Sequence, residues 1–334
     1  MPAPNVDDDY FIKLWHEYKS PNKLAKIIEC DLSAVFRRRR RLEKKYNIVL
    51  EATTHETLKK FNAEQEKQKL LDRLSETRGN ARRGITLENG RVIIFSDAHF
   101  YPNTETTAYL GLLEAIKEFK PEVIIANGDI FDGTTISRHP RIMFQNAPTV
   151  MEELDAVTHY MGEIESASKL KSNLIHTFGN HDARFESFLS ANVPQYQNLA
   201  GFSLKDHLPS WQACWSYWIN NETVVKHRLK GGAYAGYNNV KAALGANIVT
   251  GHTHVLAVQP LTGYQKTFYG VQTGCLANPR GEQFISYLED APVDWRSGFC
   301  MLTFKNGRLL MPELFQVHDE NEGTIEFRGK VYNV

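Results

Sequence analysis

Between residues 90 and 256 the chain passes repeatedly through short, unbroken apolar stretches: Val92–Phe95, Val123–Ala126, Leu174–Ile175 and Ile248–Val249. Branched and aromatic residues with no polar alternation suit strands covered on both faces, as a parallel sheet is. Helical patterns lie between them. Residues 105–119 set Leu110, Leu113, Ile116 and Phe119 on one face, and residues 149–168 form a second helix. Such alternation requires helices packed on a sheet, an α/β architecture. The strand-rich remainder suggests a second, mixed sheet. ITLENGRVIIF reads as a hairpin turning at Asn89-Gly90.

The strand ends are chemically out of place. Asp97 and His99 follow the first strand, then Asn127, Asp129 and Asp132 the second, and Asn180, His181 and Asp182 the third. His227 closes TVVKH, and His252 and His254 follow NIVTG. A single Asp or His after a strand is ordinarily a turn former or cap. The glycines beside Asp129, Asn180 and His252 would ordinarily be turn glycines. Five such ends together mean more, because ligands of open α/β sheets gather at the carboxyl ends of strands. Mixed carboxylate and imidazole donors suit divalent Mn, Fe, Ni or Zn.

The ordered blocks D-x-H, GDxxD, GNHD, a single His and GHxH, spread over residues 90–256, closely resemble the calcineurin-like metallophosphoesterase superfamily. The resemblance implies a four-layer α/β/β/α sandwich with two divalent metal ions at its strand ends, Mn favoured. It assigns Asp97, His99, Asp129 and His254 to one metal, and Asp129, Asn180, His227 and His252 to the other, with Asp129 bridging. Two metals roughly 3.5–4 Å apart can activate a bridging water and stabilise charge on a phosphoryl group. By the same resemblance His181 is not a ligand but the general acid that protonates the leaving oxygen. A carboxylate must orient it. The protein Ser/Thr phosphatase branch points to Asp132, and Asp182 is the rival; a turn carboxylate bonded to its own backbone is the other reading of Asp182.

One feature of the phosphatase branch is missing. Gly133 stands where that branch carries a phosphate-clamping Arg. The double-strand-break repair nuclease branch often has His where Asp132 stands, so the chain matches neither. Arg138 and Arg184 are candidate replacements for the clamp, since a guanidinium can bind phosphate through two hydrogen bonds. A surface ion pair is the alternative for each. The loop over residues 133–149, including His139, is where substrate selectivity is expected. Trp211, Trp215 and Trp218 of WQACWSYW read as packing for a sheet edge, with base stacking by one of them as the alternative.

Residues 1–50 read as helical. Phe11, Leu14, Trp15 and Tyr18 share a face over residues 7–19, and Ser20-Pro21 starts a second helix. After a tight turn at Glu29-Cys30-Asp31, a helix runs from Leu32 to Tyr46 with Leu32, Val35, Phe36 and Leu42 inward. Trp15 and Phe36 read as core. The arrangement resembles a DNA-binding helix-turn-helix. Residues 20–48 carry nine Lys and Arg against three Asp and Glu. Arg37 to Arg41 are consecutive and wrap more than one turn, so some must reach solvent or phosphate. Ser33, Ala34, Arg37 and Arg38 are placed for base edges, with Arg40 and Arg41 beside them as DNA contacts. A solvated charge run or an oligomeric arm is the alternative. Residues 51–83, rich in charge and poor in apolar positions, read as a charged helical linker to a phosphoesterase domain spanning 84–334.

With 39 basic and 39 acidic residues in 334 the formal charge is zero, so any nucleic-acid contact requires a local patch. Four scattered cysteines without a CxxC pair fit reduced thiols. The acidic start MPAPNVDDDY lacks the apolar stretch of a secretory signal, and no apolar run approaches a membrane span. The expected location is cytoplasmic, the host cytoplasm if the protein is viral; the combination of parts resembles proteins of tailed bacteriophages. The leading reading is a two-metal phosphoester hydrolase, a phosphodiesterase or nuclease whose N-terminal module binds nucleic acid, DNA foremost, with no membrane partner. The alternatives are a phosphomonoesterase acting on protein or nucleotides, and a DNA-binding regulator with an inert phosphoesterase domain.

Overall fold

The computed structural model describes residues 6–51, 81–138, 147–168, 172–197, 199–232, 234–289 and 291–334. The chain divides into two compact units, Met1–Thr77 and Arg78–Val334. The charged linker helix expected over 51–83 falls outside the described residues between 52 and 80, and its last two positions belong to a strand.

The first unit holds three helices: α1 (Asp8–Tyr18), α2 (Pro21–Ile27) and α3 (Leu32–Tyr46). Asp7 caps α1 by accepting from the Asp9 and Tyr10 amides at 2.7 and 3.0 Å. Ser20 caps α2, with Pro21 at its first position. Phe11, Leu14, Trp15, Leu24, Val35, Leu42 and Leu50 form the core. The inward face of α3 differs from the expected one. Leu32 and Phe36 are 40% and 37% exposed, and the middle of the buried stripe is taken by arginine stems. Arg38 lies over the Phe11 ring and binds the Val6 carbonyl and the Asp8 carboxylate; Arg39 lies over Trp15 and pairs with Glu43 at 3.0 Å. Arginine can do this because its aliphatic stem packs while its head stays hydrogen-bonded. Asp8 also receives Lys45 and Arg41 at 2.9 and 3.0 Å, and the Lys45 hydrogen bond is the chief reason its carboxyl sits at about 2.

The second unit is built on two stacked sheets. The larger has the order β15-β14-β13-β11-β2-β3-β4-β5, with β12 (Arg308–Leu309) on β11; the smaller has the order β1-β6-β7-β8-β10-β9. In the larger sheet β2 (Gly90–Phe95), β3 (Val123–Ala126), β4 (Asn173–Thr177) and β5 (Gln212–Cys214) run parallel. Helices α4 (Thr107–Phe119) and α5 (Val150–Ala167) make the crossovers. Antiparallel β11 (Gly298–Lys305), β13 (Glu313–Asp319), β14 (Thr324–Phe327) and β15 (Lys330–Asn333) extend it. The smaller sheet is mixed, with β6 (Ser216–Ile219), β7 (Thr223–Val225), β8 (Asn247–Thr250), β9 (Leu256–Thr262) and β10 (Thr267–Thr273).

Strand residues alternate between two cores, as the pleat requires. Val92, Ile94, Val123, Ile125 and Ile175 face the smaller sheet, meeting Tyr217, Ile219, Val225, Val249 and Val271. Ile93, Phe95, Ile124 and Leu174 face α4 and α5. The outer side of the smaller sheet buries Val224 and Ile248 under Val240 of α6 (Ala235–Ala242). These are the four layers α/β/β/α. Each fully buried Ile or Val contributes about 1.5–3 kcal/mol, so the double-faced runs are a large part of the stability.

Two expectations are corrected. Residues 85–95 are not a hairpin: β1 (Arg82–Ile85) pairs with β6 in the smaller sheet, while β2 lies in the larger. The chain crosses between the layers at Leu87, which is buried and held by the Asn220 amide through both its N–H (2.7 Å) and its carbonyl (2.8 Å). In α4 the buried apolar side chains are Ala108, Tyr109, Leu112, Ala115 and Ile116, whereas Leu110, Leu113 and Phe119 are partly exposed. Phe119 packs sideways on Phe315 and Phe327 of the antiparallel extension, which the helix pattern alone does not reveal. Among the described residues no helix is long and apolar enough to cross a membrane.

Candidate metal centre

The parallel strands of both sheets end side by side, and the loops leaving them carry the donors. Asp97, His99, Asp129, His252 and His254 all have left-handed backbones, with φ of 51°, 41°, 53°, 69° and 57°. Non-glycine residues adopt this region at a cost and persist in it where surrounding structure enforces it. Here the loops brace one another. The Asp97 amide donates to Gly128 O, the His99 amide to Asp129 O, and the His252 amide to the Asp97 carboxylate at 2.9–3.0 Å. The His181 amide donates to Asp129 Oδ1 at 2.8 Å. Glycine is required between them. A Cβ on Gly128, already at φ 82°, would lie 2.6 Å from the His227 ring, and one on Gly179 would collide with the Asp129 carboxylate.

The structure brings the expected ligands together. Asp97, His99 and His254 form one cluster and Asp129, His227 and His252 another, the donor atoms of each lying within 4.8 Å of one another. A third such cluster, His99, Asp129 and His181, lies between. His254 Nε2 is 3.2 Å from Asp97, and His227 Nε2 is 3.0 Å from Asp129. All are buried except His252 and His181. Neighbours fix the ring orientations: His227 Nδ1 bonds the Asn127 carbonyl at 2.8 Å and His99 Nδ1 bonds Asp132 at 3.0 Å. That leaves His99 Nε2 and the Asn180 Oδ1 buried without a hydrogen-bond partner, while His227 Nε2 faces the Asp129 carboxylate. Buried polar atoms ordinarily find partners, and these donors fit a divalent cation with its usual orienting contacts. Ser96, which donates to Asp97 and bonds Thr273, was not legible as part of this shell.

The electrostatics agree. Burial penalises the Asp129 carboxylate, but His227, then His181 and His99, hold it far below its usual range. Asp97 is lowered against the same penalty by His254 and His227. Burial disfavours a charged His227, yet Asp129 and Asp97 push it up to about 9. His252 is lowered, first by burial and then by the positive charge of His227.

His181 Nδ1 lies 2.7 Å from the same Asp132 oxygen that holds His99. Asp132 is held well below its usual range, against burial, by these two imidazoles. The side chain of Asp182 makes no hydrogen bond to the His181 ring. Its fully buried carboxylate accepts from the amides of Asp129, Gly179, Ile130 and Phe131 at 2.9, 2.9, 3.0 and 3.2 Å and meets His176 at 3.0 Å. It is a clamp for two loops, which corrects its candidacy as the orienting group. Arg184 donates to the Asp132 carbonyl at 2.9 Å and reaches His181 Nε2 at 3.1 Å. Beneath Gly133, Glu153 accepts from the Gly133 amide at 2.7 Å, and burial pushes its carboxyl up to about 7; in the sequence it looks like an ordinary helix-surface residue. His139 lies outside the described residues. A cleft of about 700 Å³ beside the centre is lined by Asn180, His227, Arg138, Arg184, Lys226 and Arg228 among others. Lys226 and Arg228 flank His227 directly in the sequence, outside the pattern of the motif blocks.

A family model described as calcineurin-like phosphoesterase matches residues 90–256. The Gene 54 protein of Mycobacterium phage L5 is 25% identical over 268 residues, covering 73% of this chain and 99% of that protein. The Gene 54 protein of Mycobacterium phage D29 is 25% identical over 252 residues, covering 68% and 93%. Among solved structures, Vps29 of Cryptosporidium parvum aligns with 13% identity and a TM-score of 0.40, covering 74% of this chain and 100% of that one. The E. coli phosphoesterase YfcE aligns with 14% identity and a TM-score of 0.31, covering 66% and 97%. The chain belongs to the calcineurin-like phosphoesterase family and is a metal-dependent phosphoester hydrolase.

Proposed function

We propose that this hydrolase is a phosphodiesterase acting on nucleic acid. Asp97, His99, Asp129 and His254 would hold one divalent cation, and Asp129, Asn180, His227 and His252 a second, Mn²⁺ foremost. The observation that carries the metal sites is the convergence of these donors, with His99 Nε2 and Asn180 Oδ1 buried and left without hydrogen-bond partners. Bound cations supply Lewis acidity, neutralising phosphoryl oxygens and acidifying water. The remaining work falls to the chain. His181 keeps Nδ1–H on Asp132 and, when protonated, delivers its Nε2 proton to the leaving oxygen. Arg184, bonded to Nε2 without substrate, moves onto the phosphoryl oxygens when substrate arrives.

The first unit favours nucleic acid. On α3, Ser33, Arg37, Arg40 and Lys44 recur at helical spacing and are all exposed, as is Arg41. Arg38 leaves this DNA-facing set because Asp8, Val6 and Phe11 hold it. A basic stripe on one helix face suits phosphates. A phosphomonoesterase is the second reading, favoured by the Asp132–His181 contact at 2.7 Å, the pairing used by the protein Ser/Thr phosphatase branch. Turnover of bis-p-nitrophenyl phosphate against p-nitrophenyl phosphate with Mn²⁺ separates the two. A diester preference that Asp129→Asn abolishes is expected; a strong monoester preference would overturn the first reading.

A further inference from the structure

The cleft beside the metal centre has a composition that goes beyond phosphate binding. Its wall carries Arg138, Arg184, Lys226 and Arg228, and among the described residues no carboxylate lines it. In a chain of zero formal charge this is a concentrated positive field. Among the described residues, no acidic side chain pairs with Lys226 or Arg228.

The same cleft exposes aromatic rings. Trp215 is 53% and Phe188 44% exposed, and Phe178 lies against Trp215 with ring centroids 5.2 Å apart. The two neighbouring tryptophans are consumed by packing. Trp211 is buried, and Trp218 is covered by the Arg82 guanidinium at 3.8 Å. Trp215 alone of the three presents its ring to the cleft. A half-exposed indole backed by a second ring is a rigid, flat surface, and cationic side chains around it suit a ligand that alternates planar bases with phosphates.

Building on the nucleic-acid reading above, we propose that Trp215 and Phe188 form a base-stacking subsite for single-stranded nucleic acid. A nucleotide flanking the scissile phosphate stacks there, and Lys226 and Arg228 follow the adjoining phosphates. Stacking on an aromatic ledge needs an unpaired base face, so the subsite selects single strand over duplex. Trp215 is a specificity residue in this account; it takes no part in the chemistry.

The test uses the full chain with Mn²⁺ and short oligothymidylate substrates, one intact and one with the nucleotides flanking the scissile bond made abasic. The intact strand should be cleaved with a kcat/KM about tenfold higher, the difference lying mostly in KM. Trp215→Ala should bring the ratio of intact to abasic towards one, and Trp215→Phe should keep most of it. Phe188→Ala, at an exposed helix position, should lower the same ratio and stands in if Trp215→Ala does not fold. Equal cleavage of both strands by the wild type, or an unchanged ratio in the folded variants, overturns the stacking subsite and leaves the nuclease reading in place. Turnover of bis-p-nitrophenyl phosphate with no cleavage of either strand defeats the nuclease reading itself, and the subsite with it.

Discussion

Replacing Asp182 with Asn should destabilise the phosphoesterase unit severely without touching the reacting groups. The native carboxylate accepts four backbone N–H groups, two on each oxygen, and is fully buried. An asparagine keeps one oxygen. Whichever way it turns, two amides face its NH2 group and lose their acceptor. A buried N–H left unsatisfied costs about 1–3 kcal/mol, so the pair predicts a loss of about 4 kcal/mol. Domain stabilities of about 5–15 kcal/mol make that a large fraction. Urea unfolding of the full chain, stripped of metal, reads it as a shift in midpoint at constant slope. Asp132→Asn, whose carboxylate is one-quarter exposed, should lose much less stability but far more turnover. If Asp182→Asn unfolds within about 1 kcal/mol of wild type yet loses turnover as Asp132→Asn does, Asp182 is the group that serves His181 and the clamp argument is wrong.

Metal affinity should depend on pH through His227. Its imidazole keeps a proton up to about 9, and a cation must displace that proton. Mn²⁺ affinity by calorimetry should therefore rise about tenfold per pH unit between roughly pH 6 and 8, and a flat profile would contradict the assignment. Glu153 works in the opposite sense to most carboxylates. Burial raises it from 4.5 to about 7, so its contribution to stability is complete below about pH 4.5 and is lost as pH rises through about 7. Glu153→Gln should flatten that decline in a pH series of urea midpoints, and an unaltered slope would refute the point. In the first unit, replacing Arg37, Arg40 and Lys44 with Ala should lower the salt slope of DNA binding by about three, while Arg38→Ala should instead lower stability; unchanged DNA affinity in the triple variant would remove the DNA-binding proposal.

The donors were legible because five strand ends carry them in one ordered set; a single Asp or His after a strand is ordinarily a turn former or cap. The span of α3 from Leu32 to Tyr46 was legible from its turn and periodicity. Its inward face was not, because hydropathy counts arginine as exposed, whereas Arg38 and Arg39 pack their stems on Phe11 and Trp15. The apparent hairpin at Asn89-Gly90 misled because turn chemistry is local. The pairing of β1 with β6 spans more than 130 residues and is set by the inter-sheet core around Leu87. In sequence the resemblance favoured Asp132 over Asp182, but the residues alone, both acidic and both near a glycine block, did not separate them. Only the fold shows that one points at imidazoles and the other into backbone amides.

Anomalous diffraction from crystals grown with excess Mn²⁺ tests the central claim most directly. Two peaks per chain are expected, one among Asp97, His99 and His254 and the other among Asn180, His227 and His252, with Asp129 between them. No peak, or manganese bound away from these strand ends, would contradict the account.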